Sequence, residues 1–300
     1  MEPVTRNMPP FLPSSAGRLM RRFALAASLL ALAPGVASAL TSARSVAKVV
    51  SFGGSCANCE LSGRKLAGAR FIGADFSGAA LVGSDLRGAR FLGSAFARAD
   101  LSRADLSDTQ MTGASFAEAV MVDASLRNAE LRGANFVQAR LRRADLRGVE
   151  GIAANFARAD LTEARLDDAE LKSSNFSGVI ATAARFRDAE LTAANLQGGR
   201  FERADFRGAD LTSANLRQAR FDGADFDGAD LRRANLGGAD LSGARGLTQG
   251  QLDEACGDAN TSAPRGLSVR SCSVRGAVPT PPPPPSPPPA PRFLVAQDAF

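Results

Sequence analysis

Large apolar residues recur at every fifth position from Leu61 to Leu241. Thirty-seven positions fall in this register without an insertion; thirty-five are Leu, Phe or Met, and the exceptions are Gly151 and Ala181. Two residues before each stands a small residue, usually Ala. A period of five matches neither the 3.6 of a helix nor the 2.0 of a simple strand. Short fixed periodicity sustained over this length marks a solenoid, in which one unit cannot bury its own Leu but stacked units bury a continuous column. The register predicts that the central residue and the small residue two before it point inward, and that the other three positions point to solvent.

The units read Ala-Asp-Leu-x-x or Ala-Asn-Phe-x-x, as in GADLTSANLRQARFDGADFDGADLRRANLGGADL from Gly208 to Leu241. This pattern resembles the pentapeptide-repeat family over about three-fifths of the chain. The resemblance implies an all-β fold, a right-handed quadrilateral β-helix with four pentapeptides per coil. Residues 61–243 then make about nine coils, about 43 Å long at the spacing of neighbouring strands.

Inside such a prism, volumes must balance. At Gly151 the small partner two before is Val149, and at Ala181 it is Val179, so large and small have exchanged places. The phenylalanines are ordered as well. Phe76, Phe96, Phe116, Phe136, Phe156 and Phe176 recur every twenty residues, which predicts one stacked column. Phe186, Phe206 and Phe226 then form a column on a different face, joined by Phe201 and Phe221. The change of phase predicts a local irregularity near Val179–Ala181.

Upstream, Arg18–Ala39 reads as a secretory signal peptide: Arg18, Arg21 and Arg22, an apolar run Phe23–Ala33, and a small-residue exit Ala37-Ser38-Ala39 with cleavage after Ala39. The apolar run is short for a membrane anchor. Residues 1–19 contain prolines and do not help export, and the true start is either Met1 or Met20. Residues 40–60, with Val46, Val49, Val50 and Phe52, supply an N-terminal cap, because an open solenoid end exposes core and strand edges. This leader places the chain in a periplasm or outside the cell.

The four cysteines divide into two distant pairs. Cys56 and Cys59 form C-x-x-C, but zinc would need two more ligands, the chain has no His, and the other cysteines lie about 40 Å away at the far end of the rod. Both fall on inward register positions. They read as buried small residues or as a local disulfide in an oxidising compartment. Cys256 and Cys272 flank a short loop in a C-terminal cap, residues 244–276, and are expected to form a disulfide. Thr248 followed by Gln251 is a capping-box pattern, predicting a short helix from about Gln249 to Cys256. Residues 277–300 form a proline-rich tail; Pro281–Pro291 is a polyproline II stretch that carries Arg292–Phe300 as a disordered end or a short binding tag.

Charge bears on partners. The whole chain is +5, yet residues 61–241 carry 25 Lys or Arg and 25 Asp or Glu. Arg127, Arg132, Arg140, Arg142, Arg143 and Arg147 cluster in the sequence as a basic zone and a candidate partner surface; Asp222, Asp225, Asp227 and Asp230 make an acidic one. Some pentapeptide-repeat proteins mimic DNA and bind type II topoisomerases, so the resemblance implies that alternative: a cytoplasmic gyrase-binding rod. A DNA mimic needs a strongly anionic surface, which a neutral rod lacks. Nucleic-acid binding lacks exposed aromatic platforms. With no His the commonest general base is missing. The paired Asp100/Asp105 and Asp205/Asp210 read as repeat positions, turn-forming and solvent-facing, rather than acid–base or calcium groups. The sequence therefore predicts a non-catalytic scaffold without metal, cofactor or small-molecule substrate. Its partner is a protein the sequence does not name, and an exposed solenoid end offers a route to a homodimer.

Overall fold

The structure, a computed structural model, describes the backbone of residues 50–52 and residues 54–272. The leader, the first part of the N-terminal cap and the proline-rich tail lie outside the described residues.

Every coil contains twenty residues. Parallel bridges pair each residue just before a central one with the residue twenty further on, from Ser55↔Asp75 to Asp225↔Arg245. Within a pentapeptide the central carbonyl closes a β-turn: Arg64 N–H donates to Leu61 O at 3.1 Å. The other backbone groups bond between coils, as in Leu61 N–H to Ala80 O at 2.7 Å and Ala80 N–H to Cys59 O at 2.9 Å. Two short strands stand out at the N-terminal end, β1 (Val50–Phe52) and β2 (Arg70–Ile72), parallel with Val50 opposite Arg70.

The third residue of each turn from Asn58 to Gly238 has positive φ. Gly63 (66°), Gly68 (69°) and Gly73 (62°) meet this freely, but twenty-one non-glycine residues from Asn58 to Arg233 also adopt it, with φ between 53° and 61°. Positive φ at that place is what a type II turn requires. None of these twenty-one is β-branched or aromatic, as expected where such side chains are most strained.

Central and small positions are buried from Ala74 to Leu241. Cys56, Cys59, Leu61, Leu66 and Phe71 are only partly buried, because the coil that would cover them falls at the described N-terminal end. Phe76 to Phe176 stack with ring centroids 4.8–5.0 Å apart and planes within 8°. Phe186, Phe206 and Phe226 form a second column at 5.0 and 5.1 Å, and Phe201 stacks on Phe221 at 5.3 Å. Phe176 meets Phe186 edge-on at 6.0 Å and 88°, across the interior rather than along one column.

The irregularity expected near Val179–Ala181 does not occur. The bridges Asp160↔Ile180 and Ile180↔Arg200 continue unbroken, and Ala181 N–H donates to Arg200 O at 2.7 Å. Val179 and Ala181 are both fully buried, so the exchange of volumes leaves the backbone undisturbed. At Gly151 the space is also taken from the next coil: a Cβ there would lie 2.9 Å from Leu171 Cδ2. Interior hydroxyls bond to carbonyls, as Ser174 Oγ does to Gly151 O at 2.7 Å and Thr109 Oγ1 to Leu106 O at 2.6 Å.

After Arg245 the chain forms a six-residue helix, α1 (Gln249–Glu254). Thr248 is its N-cap in a complete capping box with Gln251. Leu252 is buried, and Gln251 Nε2 donates to the carbonyls of Phe226 and Ala229 at 3.0 and 2.8 Å. Cys256 is bonded to Cys272, and Cys56 to Cys59.

Candidate functional site

Because twenty residues close a coil, positions twenty apart stack on one face. The residue before each central position forms the bridge to the next coil, and most of these are half-buried rather than fully solvent-facing, although Arg90, Arg140, Glu170, Ile180, Arg200 and Arg220 are exposed. Its carboxylate or amide accepts from the N–H two residues on, as Asp75 does from Ser77 at 2.9 Å and Asn175 from Ser177 at 3.0 Å. This local bond explains why Asp and Asn recur there.

The basic zone read from the sequence is not one patch. The coil places Arg140, Arg142 and Arg143 on one face, Arg127 and Arg147 on the next, and Arg132 on a third. Proximity in sequence misleads here because five residues turn the chain a quarter of the way round. Four of the six are also paired: Arg132 with Glu150, Arg142 with Asp160, Arg143 with Asp123 and Arg147 with Asp145. The acidic zone divides the same way, Asp222, Asp225/Asp227 and Asp230 falling on three faces.

A diagonal rule links the charges. A base just after one central residue meets an acid eighteen positions on, in the next coil: Arg87–Asp105, Arg132–Glu150, Lys172–Glu190, Arg187–Asp205 and Arg207–Asp225. Hydrogen bonds from Arg87 hold Asp85 below the usual carboxylate range, those from Arg143 do so for Asp123, and those from Arg232 do so for Asp230. Burial pushes Asp145 up, but the bonds and charge of Arg147 outweigh it and the net direction is down. Glu190 holds the Lys172 ammonium above its ordinary value. One acidic column survives, Glu130, Glu150, Glu170, Glu190, Asp210 and Asp230, one carboxylate per coil. Three of its members are paired, with Arg132, Lys172 and Arg232.

The four faces differ. On the face of Asp85 and Asp225, 18 of the 27 outward positions between 65 and 228 are charged. On the opposite face, between 75 and 238, only 5 of 27 are: Asp75, Arg98, Glu118, Arg158 and Arg217. That face carries an asparagine ladder, with Asn175 Nδ2 donating to Asn155 Oδ1 at 3.2 Å, Asn195 to Asn175 at 3.2 Å and Asn215 to Asn195 at 3.0 Å. Linear reading missed both the ladder and the diagonal pairs; sorting residues by their remainder on division by twenty reveals them.

Among the described residues, a cavity lies at each end. One of about 210 Å³ is apolar, lined by Cys56, Leu61, Leu66, Phe71 and Phe76. The other, about 390 Å³, is polar and lies between Arg233, Glu254, Arg270 and the Cys256–Cys272 bond. Among the described residues no His, Cys, Asp and Glu side chains converge in a group that would hold a metal, and no helix is long and apolar enough to cross a membrane.

Comparison with known proteins agrees with this architecture. Pentapeptide repeats match in eight copies over residues 55–148 and 152–245. HetL, a pentapeptide repeat protein involved in heterocyst differentiation regulation from the cyanobacterium Nostoc sp. strain PCC 7120, is 30% identical, with a TM-score of 0.58 over 63% of this chain and 83% of its own. A pentapeptide repeat protein of the Arabidopsis thaliana thylakoid lumen is 34% identical over 36% of this chain and 69% of its own, with a TM-score of 0.26. QnrB1, a plasmid-mediated fluoroquinolone resistance protein, is 20% identical over 74% of this chain and 91% of its own, with a TM-score of 0.28, too distant to bear on function. No curated protein matches the sequence significantly. With the repeat matched over more than half its length and the twenty-residue coil built from it, the chain belongs to the pentapeptide-repeat family, whose members fold as right-handed quadrilateral β-helices.

Proposed function

We propose that this protein is an exported, non-catalytic interaction rod of a bacterial periplasm or envelope that binds a protein partner through its flat faces. The rod comprises about nine coils, closed at its C-terminal end by α1 and the Cys256–Cys272 bond. One observation carries the reading. The interior is filled with Leu, Phe and Ala, while many surface charges are held in pairs, within a coil as in Arg147–Asp145 or between coils as in Arg132–Glu150 and Arg187–Asp205, so the rod offers patterned faces rather than a pocket with converging polar groups. Export rests on the leader through Ala39 and is supported by the bonding of all four cysteines, which suits an oxidising compartment. The experiment is the intact mass of the protein recovered from a bacterial host, with and without thiol alkylation. A mass beginning at Leu40 with no alkylated cysteine is expected; a full-length mass with reactive thiols would refute export.

A second reading, a cytoplasmic rod that mimics DNA toward gyrase, draws on one feature, the acidic column from Glu130 to Asp230. One carboxylate per coil, half of them paired, is far sparser than DNA at one charge per ~1.7 Å. A supercoiling assay discriminates: unchanged gyrase activity is expected, and inhibition or protection would favour the second reading.

A further inference from the structure

Two of the five charges on the charge-poor face have partners in their own chain: Asp75 accepts from Ser77 N–H, and Arg217 stands 3.9 Å from Asp258. Arg98, Glu118 and Arg158 are exposed and, among the described residues, their side chains enter no ion pair and no hydrogen bond. All three occupy the third position of a turn, so they lie in one line along the rod, one carboxylate between two guanidiniums.

That order decides what the face can meet. When two copies of a flat face meet about a twofold axis that runs between them and across the rods, the rods lie antiparallel and each turn position faces the same turn position of the other copy. Only the coil differs, and it is set by where the axis passes. With the axis at the coil of Gln138, Glu118 faces Arg158 of the second copy and Arg158 faces its Glu118. No charge on the face then meets one of its own sign: Arg98 faces Gly178, Asp75 faces Asn195 and Arg217 faces Ala57. Arg132, on the adjoining edge, is held by Glu150 on the next face. Around the axis Ala117 faces Ala157 and Val137 faces Val137, so short side chains let the long charged ones reach across.

Neighbouring alignments are worse. Sliding by one coil sets Arg98 against Arg158 in one direction, and in the other leaves Glu118 against Gly178 with no pair formed. Sliding by two sets Glu118 on Glu118 or Arg158 on Arg158. The paired alignment also overlaps nearly the whole face, with Asn58 against Gln218. Nine coils at about 4.8 Å, with a side about three extended residues wide, give a patch of about 43 Å by 10 Å, or about 900 Å² over both copies. That is less than permanent dimers bury, so the association is reversible and the two charge pairs govern it.

We propose that the charge-poor face is a self-association surface, on which a second copy of this chain docks antiparallel with Glu118 of each against Arg158 of the other. This names one partner for the interaction rod and rests on that reading for its flat, rigid faces; it requires neither export nor any other protein.

The test is sedimentation velocity over a concentration series, on the protein recovered from a bacterial host expressing the full chain. A dimer that dissociates on dilution and in 1 M salt is expected. Glu118→Arg and Arg158→Glu, each alone, set like charges opposite each other twice and should weaken the dimer by about tenfold or more. Mixing the two variants, or combining both changes in one chain, restores both pairs and should restore the dimer. Arg98→Glu should not weaken it. Val137→Cys should cross-link to its own copy through a short bis-maleimide, whereas Ser77→Cys should not, since the two copies of that position lie about 29 Å apart. A monomer at every concentration, a dimer indifferent to either charge reversal, a mixture no more associated than its parts, or cross-linking at 77 rather than 137 overturns the proposal. The cross-linking pair carries no charge reversal, so it decides the matter where a reversed variant misfolds. None of these results bears on the intact mass or the thiols, so self-association and export fail separately.

Discussion

Gly199 occupies a small-residue position where the repeat favours Ala, and its φ lies outside the left-handed region. On backbone entropy alone, Gly199→Ala should stabilise by about 0.4–1 kcal/mol. The structure predicts the opposite sign. The new Cβ would stand 2.4 Å from Phe201 Cε2, 3.0 Å from Cζ and 3.1 Å from Leu196 O. The ring cannot retreat: Phe201 is fully buried, stacked on Phe221 and edge-on to Phe186 at 6.1 Å and Phe206 at 5.5 Å. Overpacking a tight core costs about 1–3 kcal/mol, so the net effect should be a loss of about 1–2 kcal/mol. Phe201→Leu alone should lose about 1–2 kcal/mol of ring contacts. Together the two should cost no more than the second, a favourable coupling of about 1–2 kcal/mol, because Leu141 beside Ala139 and Leu161 beside Ala159 already pack this way in the same column. A solenoid opens coil by coil, so the assay is native-state hydrogen exchange of Arg200 N–H, which donates to Val179 O at 2.8 Å, together with urea denaturation. The control is Ala219→Gly beside Phe221, which should also destabilise, by about 1 kcal/mol. Slower exchange in Gly199→Ala, or strict additivity with Phe201→Leu, would refute the reasoning.

Other outcomes follow from the same geometry. Phe136→Ala, removing a ring stacked at 5.0 and 4.9 Å on its neighbours, should cost about 3–5 kcal/mol, whereas Arg142→Ala should move stability by less than about 0.5 kcal/mol; equal melting curves would overturn the inward and outward assignment. Asp85, Asp145 and Asp230 have folded pKa values below their unfolded ones, so their stabilisation is present above about pH 4 and is lost as pH falls through the lower folded values. Thermal melts at pH 7 and pH 2.5 should differ in that direction, and by less in 1 M salt. Reducing the Cys256–Cys272 bond should weaken the end of the rod by about 3 kcal/mol, seen as faster exchange of Leu252 N–H with no change at Phe136. Thr248→Ala should cost α1 about 1 kcal/mol by removing the bond to Gln251 N–H, read at the same amide.

The interior was legible in the sequence because one residue type at one spacing has one physical use: Leu66, Phe136 and Leu236 sit in the same register and face the same way. The turn glycines were legible for the same reason. The surface was not, since its logic runs at twenty residues and not five. Arg140 and Arg147 look adjacent on paper but stand on different faces, while Asn155 and Asn215, sixty residues apart, belong to one ladder. The expected break at Val179–Ala181 failed for a local reason: a valine two positions earlier restores the lost volume, so no strain reaches the backbone.

The constant separation of twenty between bridged residues also governs how a gene for this rod can grow. A duplicated segment of twenty codons adds one coil and leaves every column above it in place: phenylalanine on phenylalanine, amide on amide, base opposite acid. A duplicated segment of five codons satisfies the backbone and the interior equally well, yet it turns everything beyond it by one side of the square. Carboxylates beyond the junction, such as Glu190, would then stack over asparagines before it, asparagines beyond it would stack over the column of Asp160 and Ile180, and each diagonal ion pair crossing the junction would lose its partner. Length is thus free to drift in whole coils, while any surface that depends on alignment along the rod restricts insertions to multiples of sixty nucleotides.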